Sequence, residues 1–246
     1  MKLKTECLIC HQEGEVDVDE FAANYFTEHG TLYPWTCSTC NAKRESEKAE
    51  KERQERERER VSHIEQELDR GGLPKRYRVK APPVPYVSQW MQANAGDCML
   101  LTGETGTGKS TSAGYLARTT VEKQKTFRYF MLTDFLDQWR TARRDASGIS
   151  TGDWLARMEA CDLLILDEAS GDKNTSTDST RECMFRLLED VYNGRCRARV
   201  VFLGNYYRGS IAEVFGNEEA ARRRLAEAFL CGRIDKETET VNRITL

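Results

Sequence analysis

Downstream of residue 72, short apolar runs alternate with segments of helical periodicity. CMLLTG (98–103) reads as a strand, and KSTSAGYLARTTVEK (109–123) as a helix following it. FRYFMLT (127–133) reads as a strand and DFLDQWRTARRD (134–145) as a helix. CDLLILDE (161–168) is a strongly apolar strand that closes on two carboxylates. RECMFRLLEDVYNGR (181–195) is an amphipathic helix, RVVFLGN (199–205) another buried strand, and EEAARRRLAEAF (218–229) a further helix. Strands without polar alternation are buried on both faces, so this succession predicts an α/β fold with a parallel sheet between layers of helices.

The pattern upstream is different. Residues 43–72, KRESEKAEKERQERERERVSHIEQELDRGG, are nearly all charge, with both signs interleaved. Glu47–Lys51 and Glu52–Arg56 stand four apart in the favourable Glu-first order. Val61, Ile64 and Leu68 add a thin apolar stripe, and Gly71-Gly72 is a stop signal. This is an exposed helical linker, with a partner-contacting or strand-contacting helix as the sharper alternative. Residues 1–42 hold two C-x-x-C pairs, Cys7/Cys10 and Cys37/Cys40, around an apolar group of Phe21, Tyr25, Phe26, Leu32, Tyr33 and Trp35. Paired thiolates at this spacing suit a tetrahedral structural Zn²⁺. So short a segment buries little core, and a metal would supply the missing folding energy. Two reduced, buried pairs are the alternative, and His11 or His29 are possible substitute ligands. Four thiolates leave no open position for catalysis. The expected organisation is a zinc module at 1–42, a charged helical linker at 43–72 and an α/β domain at 73–246.

Charge and composition narrow the picture. Charged residues make up 31% of the 246, yet the net charge is only −3, so nucleic-acid contact must come from local patches. No apolar run is long enough for a membrane span. MKLKTECLIC lacks an apolar signal core, which argues against export. Nine cysteines, four of them in C-x-x-C pairs, fit a reducing cytoplasm better than a disulfide framework.

GETGTGKS (103–110) follows an apolar strand and opens a helix, the context in which G-x-x-x-x-G-K-[ST] cradles phosphates. Gly103, Gly106 and Gly108 let the backbone curl so that amides point inward, and the helix adds its positive end. The nucleotide-binding set is Gly103, Glu104, Thr105, Gly106, Thr107, Gly108, Lys109, Ser110 and Thr111. Lys109 is expected on the outer phosphates of ATP and Ser110 on Mg²⁺. Asp167 would share the Mg²⁺, and Glu168 would orient and deprotonate water. Asn205 ends a buried strand, where an amide can hold the lytic water or sense the γ-phosphate; a turn-forming Gly-Asn is the plainer reading. Among Arg222, Arg223 and Arg224, one arginine could act in trans on a neighbouring subunit's nucleotide. A basic face on a solvated helix is the alternative.

Together these residues resemble the AAA+ ATPases, specifically helicase loaders of the DnaC type and their IstB relatives. GLPKRYRVK (72–80) is similar to the family's G-I-P-x-R-Y element, DLLILDE to its Walker B strand, and the RRL at 223–225 to its arginine box. The resemblance covers residues 72–246, makes Arg224 the preferred finger, and implies a short C-terminal lid in which Arg233 and Arg243 are candidate cations. The cysteine pairs are similar to the N-terminal module of DnaI-type loaders, which contacts the helicase. The implied activity is ATP-dependent loading of a hexameric DnaB-type replicative helicase onto single-stranded DNA by a self-oligomer, with hydrolysis as the release signal. Trp139 for base stacking and Arg140, Arg143 and Arg144 for phosphates are the strand-contact candidates, with Lys173 and Asn174 secondary; an ordinary helix with a basic face is the alternative. The sensor strand departs from the family pattern, reading LGN where a T/S-N pair is usual. Rival functions are an IstB-like transposition helper acting on duplex DNA, a non-hydrolysing zinc-module adaptor, and a small-molecule kinase.

Overall fold

The computed structural model describes residues 1–31, 33–82, 84–94, 96–144, 150–168, 178–205 and 219–244. The chain divides into two compact units, Met1–Ser62 and His63–Leu246. In the first unit, strands β1 (Lys2–Glu6) and β2 (Glu13–Asp17) pair antiparallel, from Lys2 opposite Asp17 to Glu6 opposite Glu13. Helix α1 (Glu20–Glu28) starts where the Asp19 carboxylate accepts from the Ala22 N–H at 2.8 Å. Trp35 lies on Gly14, where a Cβ would come within 2.3 Å of its ring. The expected apolar group forms only in part: Tyr25, Phe26 and Tyr33 meet edge to face, but Phe21 is 82% exposed. Leu32 lies outside the described residues.

Helix α2 (Ser38–Arg70) begins inside the second cysteine pair, ahead of the expected start at 43. Its exposed pairs, such as Arg60 on Glu57, each contribute only a few tenths of a kcal/mol. Ile64 and Leu68 are buried, as the stripe requires. Gly72 takes φ +81 just past the helix end.

The second unit holds a six-stranded sheet in the order β4-β5-β6-β3-β7-β8. Its strands are β3 (Cys98–Thr102), β4 (Phe127–Met131), β5 (Leu163–Asp167), β6 (Arg199–Gly204), β7 (Phe229–Asp235) and β8 (Thr240–Arg243). All pairings are parallel except β7 with β8. The helices are α3 (Pro85–Ala93), α4 (Lys109–Glu122), α5 (Leu132–Arg144), α6 (Thr151–Glu159), α7 (Asp178–Tyr192) and α8 (Glu219–Ala228). Side-chain alternation splits each apolar strand between two cores. Leu100, Leu164, Leu166, Val200 and Phe202 join one with α5, α6, α7 and α8. Met99, Leu101, Leu163, Ile165, Val201 and Leu203 join the other with α3, α4 and the end of α2. Each fully buried side chain of this size contributes about 1.5–3 kcal/mol. The sandwich of helices on both faces is the architecture expected from the sequence.

Local contacts tie the 72–80 element and the end of α2 to α4 and β4. Arg78, within the 72–80 element, donates to Leu73 O (2.9 Å) and pairs with Asp69 and Glu65, while buried Arg118 of α4 reaches Glu65 at 3.1 Å. The 72–80 element also lies directly on α4: a Cβ on Gly114 would stand 2.0 Å from Tyr77 O. At β4, the Tyr129 N–H donates to Gly71 O at 2.7 Å. Beyond β7 the described residues contain only β8, so Arg233 and Arg243 are exposed strand residues rather than parts of a helical lid. Among the described residues no helix is long and apolar enough to cross a membrane.

Candidate functional site

β6 lies between β3 and β5. The C-terminal ends of these three strands therefore bring the phosphate loop, Asn205 and Asp167 side by side, where open parallel sheets bind ligands. The loop leaves β3 at Thr102 and α4 starts at Lys109. Gly106 and Gly108 both take φ +77, a left-handed backbone that side chains resist. A Cβ on Gly108 would also meet Val84 Cγ2 at 2.3 Å. The first amides of α4 have no helical acceptor and point out of the helix with its positive end.

Lys109 folds back over this loop. Its Nζ donates to Gly103 O (2.7 Å), Glu104 O (2.8 Å), Thr107 Oγ1 (3.1 Å) and Asn205 Oδ1 (2.8 Å). Burial pulls its pKa from 10.5 to about 8, opposed by the nearby Asp167 charge. Asn205 Nδ2 donates to Thr105 Oγ1 at 3.3 Å, so the amide joins the lysine to the loop from β6.

Asp167 is 2% exposed. Tyr129 OH donates to its Oδ2 at 2.6 Å, and the Glu168 N–H to its Oδ1 at 2.8 Å. Burial and the Asp167 charge push the Tyr129 phenol up, fixing it as the donor. Glu168 is exposed, at φ +51. One cleft of about 360 Å³ is lined by Tyr77, Lys109, Ser110, Asp167, Glu168 and Asn205. Ser110 and Asp167 both line it, and a hydroxyl with a carboxylate is a hard-oxygen donor set that fits Mg²⁺. A second cleft, about 460 Å³, flanks the loop and is lined by Val84, Tyr86, Gln89, Gly106, Lys236 and Glu239. Thr111 Oγ1 donates to Gly108 O at 3.0 Å, so it braces the loop's end. Sequence reading missed Tyr129. Strand alternation shows that the residue is buried, but only the register of β4 on β5 reveals the carboxylate beside it.

Other expected site residues lie elsewhere. Trp139 is a correction: it is 0% exposed, packed against Trp154 with the Arg186 guanidinium 5.7 Å above its ring. Leu132, Phe135, Leu136 and Trp139 recur at helical spacing and are all buried, so the tryptophan completes the core stripe of α5 and offers no stacking face. Arg140 donates to Asp137 (2.7 Å) and Thr180 Oγ1 (3.0 Å), and Arg143 to Glu182 (2.8 Å). The side chain of Arg144, with Lys173 and Asn174, lies outside the described residues. Arg224 likewise departs from a projecting side chain. Its guanidinium forms an ion pair with Glu189 of α7 at 2.7 Å and lies over Phe185 and Tyr192. Arg223 pairs with Glu227 at 2.7 Å.

In the first unit the sulfur atoms of Cys7, Cys10, Cys37 and Cys40 all lie within 4.8 Å of one another, with Cys10 and Cys37 at 3.7 Å. Tetrahedral zinc with Zn–S bonds near 2.3 Å sets sulfurs roughly 3.8 Å apart, so the donors fit. The Cys37 N–H donates to Cys7 Sγ (3.3 Å), lowering that thiol to about 6. The neighbouring Cys37 thiol pushes Cys40 up to about 12, so Cys40 keeps its proton until a cation among the sulfurs displaces it. Among the described residues only these four form such a group, and His29 instead bonds Tyr25 O.

The sequence profile of the IstB-like ATP binding protein family matches residues 87–241. No curated protein matches the chain in sequence. Among solved structures, the DnaC helicase loader aligns at 17% identity and a TM-score of 0.48, covering 61% of this chain and 86% of that one. AMPPCP-bound DnaA from Aquifex aeolicus aligns at 16% identity and a TM-score of 0.48, covering 68% of this chain and 53% of that one.

Proposed function

The chain belongs to the family of IstB-like ATP-binding proteins, and from that premise we propose that it is an AAA+ ATPase that loads a hexameric DnaB-type replicative helicase onto single-stranded DNA. The observation that carries the ATPase reading is the convergence of Lys109, Asn205 and Asp167 on one loop at the strand ends. ATP would take the loop amides, and Lys109 would exchange loop carbonyls for phosphate oxygens. Ser110 and Asp167 would hold Mg²⁺, which supplies charge neutralisation to the phosphates when bound. Glu168, the exposed carboxylate of the same cleft, would take a proton from the attacking water. Asn205, already hydrogen-bonded to Lys109, would respond when the γ-phosphate leaves.

The cysteine module supports the loader reading. It is a separate unit whose four sulfurs fit a structural Zn²⁺, and it leaves Leu8 and Ile9 of the first pair exposed for a protein partner. In this reading residues 1–42 grip the helicase, the helix at 43–72 spaces the grip, and 73–246 bind ATP and self-associate in the cytoplasm. One of Arg222, Arg223 and Arg224 acts on the neighbouring subunit's nucleotide; Arg224 must first leave Glu189 to do so. Arg140, Arg143 and Arg144 contact DNA phosphates, Arg140 and Arg143 exchanging Asp137 and Glu182 for the strand. The family match favours a second reading, a transposition helper on duplex DNA.

Two measurements test this. ATP turnover in the presence of single-stranded DNA should fall at least a hundredfold in Lys109→Ala and in Glu168→Gln; unchanged turnover in either sinks the assignment. Light scattering on size-exclusion fractions should show several copies per helicase hexamer, with the complex lost in Cys37→Ser/Cys40→Ser. No complex, together with preference for duplex DNA, moves the function to transposition.

A further inference from the structure

The β7–β8 hairpin places a second lysine on the phosphate loop. β7 pairs with the loop-bearing strand β3 in parallel register, Thr102 opposite Arg233, so its C-terminal turn emerges beside the loop. That turn is pinned by its own residues: Asp235 Oδ1 accepts from the Glu237 N–H at 2.9 Å and the Thr238 N–H at 3.2 Å. From it Lys236 reaches over, and its Nζ donates to Thr105 O at 3.2 Å. The same ammonium stands 3.8 Å from where a Cβ on Gly106 would be.

Two ammonium groups thus converge on one glycine-rich loop, and their mutual repulsion contributes to the lowered Lys109 pKa. Lys109 is saturated, with four oxygen contacts. Lys236 is exposed, makes one contact to a backbone carbonyl, and among the described residues has no carboxylate partner. An ammonium carries three donors, so at least two remain for another acceptor. A neutral donor would suffice to hold Thr105 O. Glu239 lines the same cleft as Lys236 but does not pair with it, and a positive charge with spare donors beside a phosphate-type loop calls for an anion. Resting on the nucleotide-site reading above, we infer that Lys236 is a phosphate-binding residue of this site, contributing from the β7–β8 turn a second cation alongside Lys109.

The test is isothermal titration of the 246-residue chain with Mg–ATP, comparing wild type with Lys236→Met, Lys236→Gln, Lys236→Arg and Lys109→Ala. Melting temperature without nucleotide is recorded for each. Loss of one charge-assisted contact predicts roughly tenfold weaker ATP binding in the Met and Gln variants, and recovery to within about threefold in Arg. The deficit should shrink at high salt, with nucleotide-free melting unchanged. Glutamine retains a donor for Thr105 O without the charge, so a Gln variant that binds like wild type reduces Lys236 to a neutral staple and overturns the inference. A Met variant within twofold of wild type, while Lys109→Ala abolishes binding, overturns it and leaves the nucleotide site intact. A wild-type protein that binds no nucleotide overturns the site itself.

Discussion

Raising the pH should weaken nucleotide binding through Lys109 while stabilising the nucleotide-free protein. Burial holds this ammonium near pKa 8, against 10.5 for an ordinary lysine. Phosphate binds the charged form. At pH 7 about nine-tenths of the protein carries that charge and at pH 9 about one-tenth, so affinity should fall about tenfold across the interval. The stability effect has the opposite sign. Because the folded pKa is depressed, the unfolded chain holds more protons between pH 8 and 10.5, and folding stability rises with pH across that window. The fall from 10.5 to about 8 sets an upper limit of about 3.4 kcal/mol. It is lost again as pH falls through 8. Titration calorimetry at pH 7 and pH 9, in buffers of different ionisation enthalpy, reads both the affinity and the protons taken up. Binding at pH 9 should take up close to one proton, and at pH 7 almost none. Equal affinities with no proton uptake at pH 9 would refute the claim that Lys109 is held near neutrality by burial and recharged by phosphate.

Three further outcomes are expected. Tyr129→Phe removes the 2.6 Å bond to buried Asp167 and should cost about 1.5–3 kcal/mol in denaturant unfolding; a change below about 0.5 kcal/mol would contradict the geometry. Trp139→Ala should cost about 3–5 kcal/mol of stability as a core deletion, whereas a fully stable variant with lost DNA affinity would restore Trp139 to the DNA-binding surface. Removing zinc with a chelator should make residues 1–62 protease-sensitive while leaving ATP affinity within about twofold, because the nucleotide site lies in the other compact unit; coupled loss of both would join the units energetically.

The central strands were readable because β3, β5 and β6 are apolar on both faces, a pattern that only a sheet covered on both sides produces. β7 escaped because FLCGRID mixes a glycine and two charges into a strand; Gly232 is there because Trp90 packs where its Cβ would be. α3 begins at a proline, and α6 is a short helix started by the Ser150 side chain; both were lost in what looked like connecting sequence. β1 and β2 are five residues each, largely exposed, in a module with little core to impose alternation. At the site, the loop and its carboxylates were legible because the chemistry is contiguous in sequence. Tyr129 comes from β4 and Lys236 from the turn after β7, and only register brings them in. Trp139 has arginine neighbours in sequence, but it completes the Leu132–Phe135–Leu136 stripe, and that apolar spacing places it in the core.

Both margins of the large sheet are protected against edge-to-edge strand pairing. On one side β8 is four residues long and carries exposed Thr240, Asn242 and Arg243. Short, polar and charged outer strands are poor templates for a second copy. On the other side Gly71 O already takes the Tyr129 N–H, occupying part of the ladder that β4 would offer a stranger. Loss of Thr240–Arg243 would leave β7, with its buried Phe229, Cys231 and Ile234, as the outermost strand. The short polar strand at the C-terminal side thus keeps the apolar β7 ladder from seeding aggregation, and colloidal stability should be the first property a truncation there destroys.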